Sequence, residues 1–529
     1  MEQKAPIFER RWLMCDLARQ RTFVREEMTL WLDALARLGY NGLGIYLEGA
    51  FAFRHAKGVV RQGAMTAEDA KWVVAEGKKR GIFVFPMTNV VGHMEHFFWQ
   101  ERYRALRMEG TENQLNFLDP AAKDFAMAIL HDYADAFGTE LVHVGGDETT
   151  LTEENKMAYA AFLADICKTL LDEGIQPAIW DDMLWMDLPM VALFDRRVMI
   201  FDWNYYGHRP ESPRYFKSEG FDKVVVCPCD NGWEGVICYQ RTSGYLKARR
   251  DIPVTPEEVE AFFDDARNEG VYNGMLTNWE NAFGRDIWAA WTAIARGGLF
   301  MNGQLSSGEA ADERVEAALF GRTTPYSALT HLFQDEIQRT DLDFDWFMKL
   351  RSALFELHHL APLLRKSMSA LPSFPEEYDA VLEKAEALLA SWEPESPFEA
   401  RCRLGMVGVT ALVRAGNALI KAGRGYALYK EAAEKQFTEQ KEAKRLLGEV
   451  IALFAAAEAE VAAFSTTFGE VIAGTGHTEA DLDRLADTRF LLALAVKELS
   501  TVLSLIEEVP LPLFERVINR ISTGKPIIR

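Results

Sequence analysis

The sequence predicts an α/β protein, a (β/α)8 TIM barrel followed by an α-helical C-terminal domain. Two observations predict the barrel. Residues 1–303 repeat a single theme, a helix that stops at glycine and then a short apolar strand, and the repetition yields eight strands. A shift in composition marks where it ends: eleven of the thirteen tryptophans precede residue 292, and Ala, Leu and Glu dominate beyond about 310. The expected domains are therefore 1–303 and 310–529. A chain of 529 residues exceeds one ordinary core, as this division requires.

Arg10 to Ala18 reads as the first strand, and Phe23 to Leu38 as an amphipathic helix stopped by Gly39. Leu43 to Glu48 is the second strand. Thr66, followed by Glu68 and Asp69, caps a helix that stops at Gly81. Ile82 to Met87 is the third strand, and a helix from Pro120 ends at Gly138. The β-branched run Leu141-Val142-His143-Val144 is the fourth strand, and a helix from Thr152 stops at Gly174. Pro177 to Trp180, Arg197 to Trp203, and Lys223 to Cys227 make strands five to seven. Pro256 opens a helix ending at Gly270; Gly274 to Trp279 is strand eight, and Arg285 to Gly297 is the last helix of the barrel. An open doubly wound sheet would need a reversal of strand order, and the chain offers no glycine-rich phosphate loop.

Beyond residue 310, helical periodicity runs through Phe344 to Ser367, Glu376 to Trp392, Arg401 to Ala422, Tyr426 to Ser465 and Thr478 to Ile506. Pro510 to Leu513 reads as an extended tail or short turn. This region carries no chemistry, and packing on the barrel or forming a homodimer is its expected role.

Composition narrows the function. The net charge of −21 argues against nucleic acid and other polyanions and leaves neutral substrates as the natural choice. No apolar run approaches 18 residues, and the N-terminus has no apolar signal core, so a cytoplasmic protein without a membrane span is expected. Six cysteines in so long a chain form no disulfide framework; Cys227 and Cys229 read as reduced packing residues.

A barrel of this kind places its chemistry at the C-terminal ends of its strands. There stand His93 after strand three, Asp147 and Glu148 after four, Trp180 to Asp182 at five, Trp203 at six, Asp230 and Trp233 at seven, and Trp279-Glu280 at eight. The stretch His143-Val144-Gly145-Gly146-Asp147-Glu148 is central. Its glycines let the backbone approach a ligand, and its two carboxylates follow at once. Neighbours on a strand point to opposite faces, so the pair suits two separate tasks, one proton donor and one steering group.

This hexapeptide resembles the signature of the β-N-acetylhexosaminidases, glycoside hydrolase family 20. The resemblance extends over the barrel and implies a retaining, substrate-assisted hydrolase that uses no metal or cofactor. It assigns Glu148 as acid and base, and Asp147 as the residue that orients the 2-acetamido group. Arg11, with Asp16 and Arg19, resembles the family's first-strand motif, whose leading arginine holds sugar hydroxyls; a salt-bridged arginine at a barrel end is the other reading. Gly92-His93 is similar to the Gly-His whose histidine lines the pocket, while a metal shared by His93, Glu95 and His96 is an alternative. Trp180, Trp203 and Trp279 match pocket-walling tryptophans, and Glu280 is placed to accept from the 4- or 6-hydroxyl. Two departures stand out. One residue usually separates that Trp and Glu, and the family's acetamido-binding tyrosine falls near Trp233, so that Tyr205 or Tyr206 is the candidate substitute. The implied partner is a small carbohydrate or glycoconjugate. A non-catalytic sugar-binding barrel, or a glycosidase with an enzyme nucleophile drawn from Asp181, Asp182, Asp230 or Glu280, are the competing readings.

Overall fold

Eight short parallel strands close into a barrel in sequence order: β1 (Arg10–Asp16), β2 (Gly42–Tyr46), β3 (Phe83–Met87), β4 (Leu141–Gly145), β5 (Gln176–Trp180), β6 (Met199–Trp203), β7 (Val224–Cys227) and β8 (Asn273–Asn278). β1 pairs with both β2 and β8, which closes the ring. This computed structural model describes residues 6–18, 21–59, 61, 63–185, 187–205, 209–230, 256–279, 287–339, 374–472 and 479–511.

The five glycines expected to stop helices, Gly39, Gly81, Gly138, Gly174 and Gly270, all have positive φ, as does Gly220 before β7. Gly138 shows why. At φ 58 it turns the helix Pro120–Phe137 into the left-handed cap, and its N–H donates to Ala134 O. Thr66 and Asp69 form the reciprocal capping box that opens the helix Ala67–Lys79.

Alternation along the strands fills the barrel. Trp12 packs against Phe85 at 4.9 Å and Phe201 at 6.2 Å in the lower layer. His143, between Trp180 at 4.5 Å and Phe201 at 4.7 Å, forms the layer above. Cys15, Cys167, Cys227, Cys229 and Cys402 are all buried free thiols.

The same alternation corrects the expectation for Arg11. Arg10 shares a face with Trp12, and its guanidinium lies 5.5 Å from that ring. Arg11 therefore faces the helical layer, at the N-terminal end of β1. Its Nε donates to Gly39 O at 2.8 Å and its Nη1 to Phe8 O at 2.7 Å. Five residues separate it from Asp16 at the strand's other end, roughly 16 Å of strand. Arg11 closes the bottom of the barrel and does not line the pocket. Arg11→Ala is expected to cost roughly 1–3 kcal/mol in stability. KM should be unchanged; denaturant unfolding and steady-state kinetics on one preparation check both.

The described residues form two compact units. The barrel unit extends to Thr323 and so includes the helix Asp312–Phe320, and the helical unit runs from Thr324 and also takes in Ile287–Ala289. In the helical unit, Trp288 is fully buried against Phe398, and its carbonyl accepts from Tyr326 Oη at 2.6 Å. The expected break between Ala422 and Tyr426 is absent: Pro397–Lys435 is one 39-residue helix. A Cβ at Gly425 would lie 3.3 Å from Val450 Cγ1, so this glycine serves close packing against the helix Gln440–Ile472 rather than a stop. The chain turns instead after Lys435, where Gln436 Nε2 donates to Ile506 O and Val509 O at 2.6 Å. Pro397–Lys435 is long and apolar enough to span a membrane by length and composition, with 72% of its most apolar window buried inside the protein. The helix expected over 344–367 and the second half of the tail at 510–513 lie outside the described residues.

Candidate active site

The pocket is assembled where β2 to β6 and β8 open into their loops, and the peptide after β4 shapes it. The register between β4 and β5 shifts between His143 and Gly145, a bulge that re-aims the residues beyond it. Gly145 at φ 88 lies so close to the β3 loop that a Cβ would meet Asn89 Cα at 2.5 Å. Gly146 at φ 96 is walled by Leu163 and by Tyr159, whose hydroxyl donates to Gly146 O. No L side chain fits either position without displacing a neighbour.

Glu148 continues in the left-handed region at φ 49, which turns it back beside Asp147. The two carboxylates consequently do not diverge as they would on a regular strand. Both approach one imidazole: His93 Nε2 is 3.6 Å from Asp147 Oδ2 and 3.3 Å from Glu148 Oε2. Burial alone would lower the pKa of His93, but the adjacent carboxylates of Asp147 and Glu148 outweigh it and raise the pKa well above the ordinary value. Asp147 is nearly buried, whereas the Glu148 side chain is 49% exposed and stands at the mouth. That division suits a group held to orient and a group that meets a leaving atom.

Two residues hold the pair: Asn89, which sequence reasoning passed over, and Asp182, which it offered only as a competing nucleophile. Asn89 Oδ1 accepts from the backbone N–H groups of Val91 at 3.0 Å, Gly92 at 3.1 Å and Gly146 at 3.2 Å. Its amide orientation is thereby set, and Nδ2 donates to Asp147 Oδ1 at 2.6 Å. Asp182 Oδ2 accepts from Glu148 N at 3.0 Å and fixes the turned backbone of Glu148. Burial, followed by the charge of Asp147, raises the Asp182 pKa well above the usual carboxylate value. The only sequence signal for either was a polar residue just past an apolar strand.

Aromatic side chains form the remaining walls. Trp180 lies 6.1 Å from Trp279, and Tyr46 meets Trp279 edge-on at 4.9 Å. Trp203 packs on Tyr205 at 4.8 Å, and Trp279 Nε1 donates to Tyr205 Oη at 2.6 Å. His143 lies beneath this cage rather than in it. It is fully buried, Nδ1 accepts from Gly145 N at 3.1 Å, and burial lowers its pKa to about 3, so it is a neutral floor. The structure thus gathers His93, Asp147, Glu148, Trp180, Trp203, Tyr205 and Trp279, and leaves Arg11 apart. Glu280, Trp233, Tyr206 and Arg19 lie outside the described residues.

Two groups among the described residues could hold a metal, His93 with Asp147 and Glu148, and Glu48 with Glu95 and His96. The trio of His93, Glu95 and His96 considered from sequence is not brought together, because His93 turns toward Asp147 while His96 faces Glu48 at 3.7 Å.

A parallel (β/α)8 barrel with a paired Asp–Glu and an aromatic cage at its C-terminal rim is an arrangement suited to carbohydrate chemistry. Comparison with known families agrees: the description "Glycosyl hydrolase family 20, catalytic domain" matches residues 8–232. Residues 8–232 are thus similar to the catalytic domain of that family. Among characterised relatives, the β-hexosaminidase subunit beta of Entamoeba histolytica is 28% identical over 329 residues, 53% of this chain and 56% of that protein. A lacto-N-biosidase of Bifidobacterium bifidum is 26% identical over 171 residues, 28% of this chain and 15% of that one. The chain thus spans about half the length of the first relative and a small part of the second. A solved β-N-acetylhexosaminidase from Bacteroides fragilis is 18% identical, covering 60% of this chain and 70% of that one, with a TM-score of 0.47.

Proposed function

We propose that the protein is a retaining exo-β-N-acetylhexosaminidase that removes terminal β-linked GlcNAc or GalNAc, the substrate's own 2-acetamido oxygen serving as the nucleophile. The observation that supports this reading best is the commitment of the carboxylates. Asp147 and Glu148 stand together on one loop, so they cannot bracket an anomeric carbon from opposite sides. The other described candidates for an enzyme nucleophile are held as acceptors, Asp181 and Asp230 buried and Asp182 partly so. Asp181 takes Trp203 N at 2.9 Å and Trp185 Nε1 at 2.7 Å, Asp182 takes Glu148 N, and Asp230 takes Asn278 Nδ2.

In this mechanism Glu148 gives its proton to the glycosidic oxygen as the acetamido carbonyl oxygen attacks C1. The C1–O bond to the leaving group breaks, and a cationic oxazolinium ring forms. Asp147 accepts the acetamido N–H, turns the carbonyl toward C1 and balances the positive charge. Ionised Glu148 then takes a proton from water as that water adds to C1 and reopens the ring, with retention. Trp180, Trp203 and Trp279 offer ring faces to the sugar and a dry enclosure to the acetyl methyl, and Tyr205, in contact with Trp203 and Trp279, would donate its hydroxyl to the acetamido oxygen.

A panel of aryl glycosides tests the proposal. Intramolecular attack is worth effective molarities of roughly 10⁵–10⁸ M. The N-acetylglucosaminide should be cleaved, and the plain glucoside should be slower by several orders of magnitude. Comparable rates on both would overturn the internal nucleophile, and no cleavage of either would leave a sugar-binding barrel.

A further inference from the structure

We propose that Glu48, Glu95 and His96 form a binding site for a divalent transition-metal cation of the zinc or manganese kind, adjoining the sugar pocket. The three side chains each offer a ligand atom, and those atoms lie within 4.8 Å of one another. Glu48 Oε2 and His96 Nδ1 are 3.7 Å apart, too far for a hydrogen bond. Ligands at about 2.0–2.2 Å from a tetrahedral ion stand roughly 3.3–3.6 Å from each other, so the Glu48–His96 pair needs only a small contraction.

Three further observations distinguish this group from a chance meeting of acids. Glu95 Oε2 is fully buried and has no hydrogen-bond partner among the described residues, a costly state for a carboxylate oxygen that a cation would relieve. Glu48 is itself only 2% exposed, so its charge is not a solvated surface charge. Its backbone is also strained. Among the described residues, Glu48, His93 and Glu148 alone are non-glycines at positive φ, and Glu48 lies at φ 40. The other two serve the sugar pocket.

The surroundings hold the ligands as metal sites require. Tyr46 Oη donates to Glu48 Oε1 at 2.7 Å and leaves Oε2 turned to His96. Tyr133 Oη donates to Glu48 O at 2.6 Å and secures the strained peptide. His96 is backed by Gly49, where a Cβ would lie 2.6 Å from His96 Cβ, and its ring packs against Trp99 at 4.7 Å. One imidazole nitrogen with two carboxylates favours zinc or manganese over calcium, which prefers an all-oxygen shell.

The test is metal binding by the full chain after dialysis against a chelator, with Zn²⁺ alone as titrant in calorimetry and the bound metal counted after gel filtration. One equivalent per chain is expected. Glu95→Gln and His96→Gln should each weaken binding by at least about tenfold, while Asp147→Asn should leave it intact. Far-UV circular dichroism confirms folding, and Glu95→Asp, which keeps the charge but shortens the reach, is read in place of any variant that fails to fold. Absence of saturable binding to the wild-type chain would overturn the proposal. So would binding indifferent to both ligand substitutions, or binding lost in Asp147→Asn and kept in Glu95→Gln, which would place the ion at His93. None of these readouts depends on turnover, so the site and the proposed hydrolysis stand or fall separately.

Discussion

Glu148→Gln is expected to lower kcat on natural-type glycosides by roughly 10²–10⁴, the usual contribution of a positioned acid or base. The loss should depend on the leaving group. An alkoxide needs the proton that glutamine cannot give, whereas a nitrophenolate departs with little help, so the first step should suffer least with activated aryl substrates. The structure leaves the change local. The Glu148 side chain is half exposed, and the hydrogen bond that holds its backbone, from Glu148 N to Asp182, is unaffected by the substitution. Thermal unfolding should therefore match the wild type while turnover collapses. Undiminished cleavage of an alkyl N-acetylglucosaminide would remove Glu148 from the acid role.

Asp147→Asn is expected to cost on the order of 10²–10³ in kcat, the scale found when one preorganised electrostatic contact to a developing charge is removed. The geometry gives the reason. Asn89 Oδ1 is occupied by three backbone donors, so only its Nδ2 can face position 147. An asparagine there must turn its own oxygen to Asn89, which points its NH2 toward His93 and the pocket. The acetamido N–H would then meet a donor in place of an acceptor, and the cationic intermediate would lose its counter-charge. Kinetics on the N-acetylglucosaminide check this, with wild-type rates refuting the orienting role.

Much of this was legible in the residues themselves. Eight short apolar strands, six of them preceded by a glycine-stopped helix, specify a barrel because both signals are local. Asp147, Glu148 and the tryptophans were found because barrel topology fixes which end of a strand carries chemistry. Arg11 misled because a motif does not state which way a side chain faces; with Trp12 inside the barrel, residue 11 must face outward. Asn89 and Asp182 act across loops from different strands, a relation that no spacing within one segment encodes. The glycines near 425 read as a break, yet the same lack of a side chain also permits two helices to touch, and only the packed structure distinguishes the uses.

The uncharged state of His143 determines how acidity reaches the molecule. With its pKa at about 3 in the folded chain and near 6.5 when unfolded, its contribution to folding is complete above about pH 6.5 and fades as the medium is acidified toward 3. Through that interval the base of the cage keeps zero charge, so a titration seen in sugar affinity reports on groups higher in the cavity. The acid limit of operation is then set partly by a ring that never touches the ligand.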